Sequence, residues 1–357
     1  MFSFFRHIKA LCCAMLASMM MASCDSSVPM SQEPDESAGL FLVCKVGMVG
    51  ETRAGQTPVN EGMHTLRLVV MDIDRSEVEY NRLVVFDNVR ENYSFVAEIK
   101  EGAYKPGGSH KRVFLISNEE SVTNVQSDNS ALSLPGSLHS ILESVQVGDK
   151  DFESKINSVY YVPDFTKNIP LTSVYDITIP DGIRYVEESF WLVRVATKFS
   201  VVFENANLGI GVSVSSAKIT GLSDRHFLMP RFTNGVAPTF AGYDTWIDWL
   251  KNVSDLSQAD PYNPTADASG WLYGYEIPST AAAAELNCIS SPFTLAAATA
   301  TNTPSRTVSN LYAAESRNRI VGSSIGEQRY TFVMTATSGS KPKTFTTALP
   351  NVSALFR

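Results

Sequence analysis

The sequence predicts an all-β protein of two tandem β-sandwiches with few short helices, and three observations carry the prediction. Apolar and polar residues alternate in short runs along most of the chain, the period of strands. Helical spacing is sparse. The chain has 357 residues, which suggests two domains more naturally than one; 44% of its residues are hydrophobic and 18% charged, a composition able to bury cores.

The first residues read as an address. Residues 1–23 run from the basic Arg6 and Lys9 through the apolar stretch Ala10 to Ala22 and end in small residues, the order of a secretory signal. The apolar stretch is too short to span a bilayer. Met21-Ala22-Ser23-Cys24 resembles a bacterial lipobox, with Met21 where leucine is commonest, which makes Cys24 the expected lipidation site and mature N-terminus. Residues 24–37 are polar and acidic, the composition of a flexible tether.

Strands follow in order. Leu40, Leu42, Cys44, Val46 and Met48 share one face of residues 40–49, with Phe41, Val43 and Val49 on the other, so both faces are apolar, as in a strand buried inside a sandwich. After a turn-rich break, Leu66, Leu68 and Val70 alternate, and VEYNRLVVF beyond Ile73–Ser76 completes a hairpin. Tyr93, Phe95, Ala97 and Ile99 alternate next, then Arg112 to Ser117. Leu138, Ile141, Leu142 and Val145 have helical spacing, as do Trp246, Ile247, Trp249 and Leu250. The longest alternation, Trp191 to Phe203 on odd positions, predicts one half-buried central strand. Strands resume at Tyr330 and at Thr344. A boundary at Pro180 to Glu188 divides the chain into an N-terminal domain over 38–187 and a C-terminal domain over 188–357. A surface insertion over 236–310, rich in Ala, Thr, Pro and Asn, is expected to hold little regular structure.

Composition and motifs exclude several classes. A net charge of −8 argues against affinity for nucleic-acid phosphates. The five cysteines show no C-x-x-C spacing, and the histidines beyond the first ten residues (64, 110, 139, 226) are scattered, so no metal or cofactor site is expected. Whether Cys44 and Cys288 pair stays open. Asp72, Asp74 and Ser76 copy the opening of a calcium loop, but Glu77 and Leu83 replace its glycine and glutamate, which favours a hairpin turn. The segment 209–211 (GIG) lacks the third glycine of a dinucleotide loop. Ser223, Asp224, Arg225 and His226 read as a solvated turn rather than a catalytic set, and no enzyme is expected. Trp246, Trp249, Trp271 and Tyr273 offer either a sugar-stacking surface or packing.

A polar linker containing Thr52-Arg53-Ala54 follows the first strand. Cleavage after Arg53 would detach residues 40–49 and open a groove with apolar walls and unpaired backbone groups, able to take another chain's strand. If Arg53 is an ordinary loop residue, the strand stays in place.

The order of these features resembles the fimbrillin family, the subunits of type V pili of Bacteroidales-type bacteria. The motifs are MASC at 21–24, GLFLVCKVGMV at 39–49, TRA at 52–54, HTLRLVVMDIDRSEVEYNR at 64–82 and FWLVRVATKFSVVFENA at 190–206. The resemblance implies two transthyretin-like, Greek-key β-sandwich domains and export as an acylated (palmitate-bearing) lipoprotein. It implies an arginine-specific surface protease cutting between Arg53 and Ala54, with Leu40, Leu42, Cys44, Val46 and Met48 on the removed strand. Its implied partners are other pilus subunits, the outer membrane through Cys24, and host or bacterial surface ligands; its location is the cell surface. Family stalk subunits donate a C-terminal strand, and this chain shows no alternating run after Phe356-Arg357. Either Thr344 to Phe356 is the donor, or the subunit accepts without donating, as a tip or accessory subunit would. An uncut Arg53 would suit a basal anchor. The reading from a different class is a non-polymerising surface lipoprotein that binds glycans through its aromatic insertion.

Overall fold

The computed structural model describes residues 39–49, 59–99, 108–129, 132, 136–231, 239, 242–252, 278, 282–314 and 330–349. Cys24, Arg53, Ala54, Trp271 and Tyr273 lie outside them. Alternation becomes sheet as expected. Strands β2 (Met63–Asp72), β3 (Glu77–Arg90), β5 (Ser109–Ser117) and β8 (Leu171–Ile179) form an antiparallel layer in the order β3-β2-β5-β8. Strands β1 (Leu40–Met48), β4 (Asn92–Ile99) and β9 (Tyr185–Arg194) form the second layer in the order β9-β1-β4. Short pairing of Leu171 with Arg194 and Thr172 with Val193 joins the layers at one corner. Leu66, Leu68 and Val70 of β2, Val113 and Leu115 of β5, and the inward residues of β1, β4 and β9 meet in one core.

The 66–68–70 alternation marks only one of two buried faces. Val69, Met71, Phe114 and Ile116 point the other way and are equally buried. They pack against helices α1 (Leu138–Glu143) and α2 (Phe152–Ser158) and the small sheet of β6 (Val125–Ser127), β7 (Val159–Tyr161) and β12 (His226–Phe227). The N-terminal half is therefore three layers deep, with its middle sheet covered twice. Both predicted helices form. Ser137 caps α1, its hydroxyl accepting the Ser140 N–H, and α3 (Trp246–Asn252) buries Trp246 and Ile247 in the sandwich core.

Three expectations need correction. The single strand over Trp191 to Phe203 is two strands, β9 and β10 (Thr197–Glu204), in different sheets. Val195 and Ala196 lie between them and enter two separate cores. On β9 the most deeply buried residues are the even-numbered Phe190 and Leu192, with Val193 also buried, whereas on β10 Thr197 and Phe203 are buried at odd positions, so the inward parity changes where the chain changes sheet. Glu188 lies inside β9, and the strands change sheet between Arg194 and Thr197, C-terminal to the expected boundary. The insertion over 236–310 also holds strands: β13 (Ala283–Asn287), β14 (Phe293–Leu295) and most of β15 (Ser305–Ala313). β15 pairs with β10, while β13 and β14 pair with β11 (Val212–Ser223), whose other side carries β16 (Tyr330–Ser338) and then β17 (Lys341–Leu349). Phe203, Ile219, Cys288, Leu295 and Ala336 share the core between them. Small residues such as Ala284 and Ala313 stand where larger apolar ones would have marked these strands.

Glu61, at the end of a short 3-10 turn and 1% exposed, ties the halves together. It receives Lys198 Nζ at 2.6 Å and the Tyr312 hydroxyl at 2.5 Å, with Arg194 Nη2 at 3.4 Å. Burial alone would raise its carboxyl, but the hydrogen bonds from Lys198 and Tyr312 and the Arg194 charge outweigh it and hold the group below its usual range. The depressed folded value means that Glu61 stabilises above the ordinary glutamate range, about 4.3, and that this contribution disappears as pH falls through the lower folded value. Replacing Glu61 with Gln should lower the melting temperature at pH 7, and the gap to the parent should close progressively below about pH 4. A gap that is independent of pH in a melting series would contradict the assignment.

Candidate functional site: the first strand and its groove

Strand β1 lies in the middle of its layer. It pairs antiparallel with β4 from Leu40–Ile99 to Gly47–Asn92, and parallel with β9 from Phe41–Tyr185 to Met48–Leu192. Both of its edges are thus hydrogen-bonded. Leu40, Leu42 and Cys44 are fully buried, and Val46 and Met48 are 2% and 1% exposed. The strand brings together all five residues that the alternation assigned to one face. Its other face differs from expectation: Phe41 and Val43 are only half-buried, and Lys45 is exposed and paired with Glu187.

Sequence reasoning missed what covers Gly47. The Trp191 ring lies over it, so that an added Cβ would collide with the ring and stand 2.8 Å from Asn92 Oδ1. The Tyr175 hydroxyl accepts the Trp191 backbone N–H at 2.9 Å and donates to its backbone carbonyl at 3.1 Å. Lys251 of α3 places Nζ 3.3 Å from the ring centroid. A glycine in an otherwise apolar strand, paired with a tryptophan by register, is the signal that could have found this contact.

The Cys44 thiol is pushed up to about 12 by burial and, secondarily, by the charge of Glu188. It is chemically quiet. Cys288 sits in the other core, and the two cysteines are free thiols.

The remaining candidates are placed as follows. Ser223 and Arg225 close a local turn, in which the Ser223 hydroxyl accepts the Arg225 N–H and donates to its carbonyl. Asp224 accepts the Ala282 N–H, while His226 is buried in β12 opposite Tyr161. The turn is less solvated than expected because β12 draws it onto the N-terminal half. Trp246 is core, which favours packing over sugar stacking at that position. One group with metal-type donors occurs among the described residues: Glu119, His139 and Glu143 bring ligand atoms within 4.8 Å of one another. Arg67 occupies it, contacting Glu119 at 2.6 and 2.7 Å, Glu143 at 2.5 Å and Asn81 at 2.9 Å. The cluster anchors α1 to the middle sheet.

Fold and site together define an all-β protein whose first strand is the central, doubly paired member of its layer. No family model and no curated protein matches the chain. Solved structures similar to it include a provisionally assigned cell adhesion protein from Parabacteroides distasonis, at 12% identity and a TM-score of 0.46 over 87% of this chain and 80% of that one. They also include a C-terminally truncated tip fimbrial protein from Porphyromonas gingivalis, at 13% and 0.40 over 86% and 81%. A fimbrilin from the same species is similar at 14% and 0.39 over 84% and 71%. None of these three reaches a TM-score of 0.5.

Proposed function

We propose that the chain is a structural, non-catalytic subunit of a cell-surface fimbria. On this reading it is exported as a lipoprotein acylated on Cys24 and held at the outer membrane. An arginine-specific protease cuts after Arg53, and a neighbour's strand fills the vacated place of residues 40–49. The role is adhesion to host or bacterial surfaces. The observation that supports it is the position of β1, whose loss would expose one continuous apolar trough together with the inner edges of β4 and β9. The last described strand suits a donor role for Thr344 to Phe356: β17 is an edge strand, its residues 341–347 are all exposed, and Phe345 is 51% exposed.

The test is Arg53→Ala in cells that express the full chain. The parent should yield subunits beginning at Ala54 by mass spectrometry and detergent-resistant high-mass ladders. The variant should keep its acylated Cys24 and lose the ladders. Ladders that persist in the variant would overturn the cleavage step.

A further inference from the structure

Three charged groups that the fimbrial reading does not use meet on the inward face of the middle sheet. Asp72 continues the core-facing series Leu66, Leu68, Val70 on β2, and Lys111 precedes Val113 and Leu115 on β5. The register sets Asp72 and Lys111 directly opposite each other. Glu79 arrives from β3 beside the irregularity that shifts the β2–β3 pairing between Val70 and Met71. The side chains of Asp72 and Lys111 are fully buried, and that of Glu79 is 7% exposed. Lys111 Nζ donates to Asp72 Oδ2 at 2.9 Å in good hydrogen-bond geometry. It also stands 2.8 Å from Glu79 Oε2, close but off the hydrogen-bonding axis. Asp72 Oδ1 accepts the Arg75 N–H at 2.8 Å, and the Arg75 guanidinium pairs with Glu79 Oε1.

We propose that this is the site of a self-formed amide in which Lys111 Nζ is acylated by Asp72 Cγ, with Glu79 relaying the protons. The step begins with transfer of one proton from the Lys111 ammonium along the Nζ–Oδ2 hydrogen bond to the Asp72 carboxylate, which leaves an amine beside an acid. The amine attacks Cγ from its position 2.9 Å from Oδ2 of the same carboxyl group, held there by two paired strands. Negative charge develops on Oδ1, where the Arg75 N–H already points. The Glu79 carboxylate accepts a proton from Nζ and returns it to the departing hydroxyl. The Cγ–O bond breaks, the C–N bond remains, and one water leaves. No oxidant, metal or cofactor enters the balance. The link joins residues 39 apart in the chain and ties β2 to β5, constraining the unfolded chain as a disulfide would.

An ordinary buried ion pair accounts for the same burial, and the two differ by one water of mass. The experiment is intact-mass measurement and tryptic mapping of the purified full-length protein. The expected result is a chain lighter by one water than its sequence requires, with a branched peptide joining the Asp72 and Lys111 segments. Glu79→Gln, which preserves side-chain volume, should restore the full mass and lower the melting temperature by about 10 °C. Separate linear peptides carrying Asp72 and Lys111 in the parent would overturn the proposal. A branched peptide in Glu79→Gln would overturn the role given to Glu79.

Discussion

A chain that begins at Ala54 should melt its first sandwich far below the full-length protein, and a peptide of residues 39–49 added in trans should restore it. The five inward side chains of β1 each contribute roughly 1.5–3 kcal/mol on burial, a total of roughly 8–15 kcal/mol. That total equals the whole net stability of a typical domain, about 5–15 kcal/mol. The β4 and β9 ladders lose their shared partner at the same time. The C-terminal core of Phe203, Ile219, Cys288 and Leu295 is separate from the β1 core and should keep its own transition. Calorimetry of the truncated chain with and without peptide measures both effects. A truncated chain that melts like the parent would show that β1 is dispensable, and a peptide carrying Leu42→Asp should fail to rescue.

Replacing Arg67 with Met should cost about 3–5 kcal/mol, because it strips the buried Glu119 carboxylate of its bidentate partner. The contrast lies in the double variant. Arg67→Met with Glu119→Gln removes the unpaired charge and should regain a large part of the loss, since an ion pair removed whole costs far less than one removed by half. Urea denaturation at constant pH reads both, and a single variant within about 1 kcal/mol of the parent would show that this cluster does not hold α1 in place.

Much of the N-terminal half was legible in the sequence because its strands carry dense short runs of apolar residues bounded by turn signals: β1, the β2–β3 hairpin, β4 and β5 all form where those runs fall. The helix at Leu138 was equally plain from its spacing. The break at Val195-Ala196 was hidden because the end of β9 carries apolar residues at both parities, Phe190 and Leu192 on one and Trp191 and Val193 on the other, so the odd-numbered series of β10 continues it without a visible gap. The strands between Ala283 and Ala313 were hidden because they are short and their inward residues mix the small Ala284 and Ala313 with Leu286, Phe293, Leu295, Val308 and Leu311 in no long alternating run. The buried charges were hidden because charged types are read as surface, although a phase signal was present: Asp72 is in step with Leu66, Leu68 and Val70, and Lys111 with Val113 and Leu115. Arg67 shares the parity of Val69 and Met71, the face that α1 covers.

The Trp191 ring over Gly47 has a consequence for any strand that enters the place of β1. A bare backbone is tolerated at that one rung and nowhere else is it demanded, so the groove discriminates among candidate strands by where their glycine falls. A strand offset by two residues keeps its apolar face inward yet drives a side chain into the indole, whose backbone Tyr175 holds and whose ring Lys251 contacts. Such a filter would separate one acceptable segment from many greasy ones and would fix the register of any strand that enters.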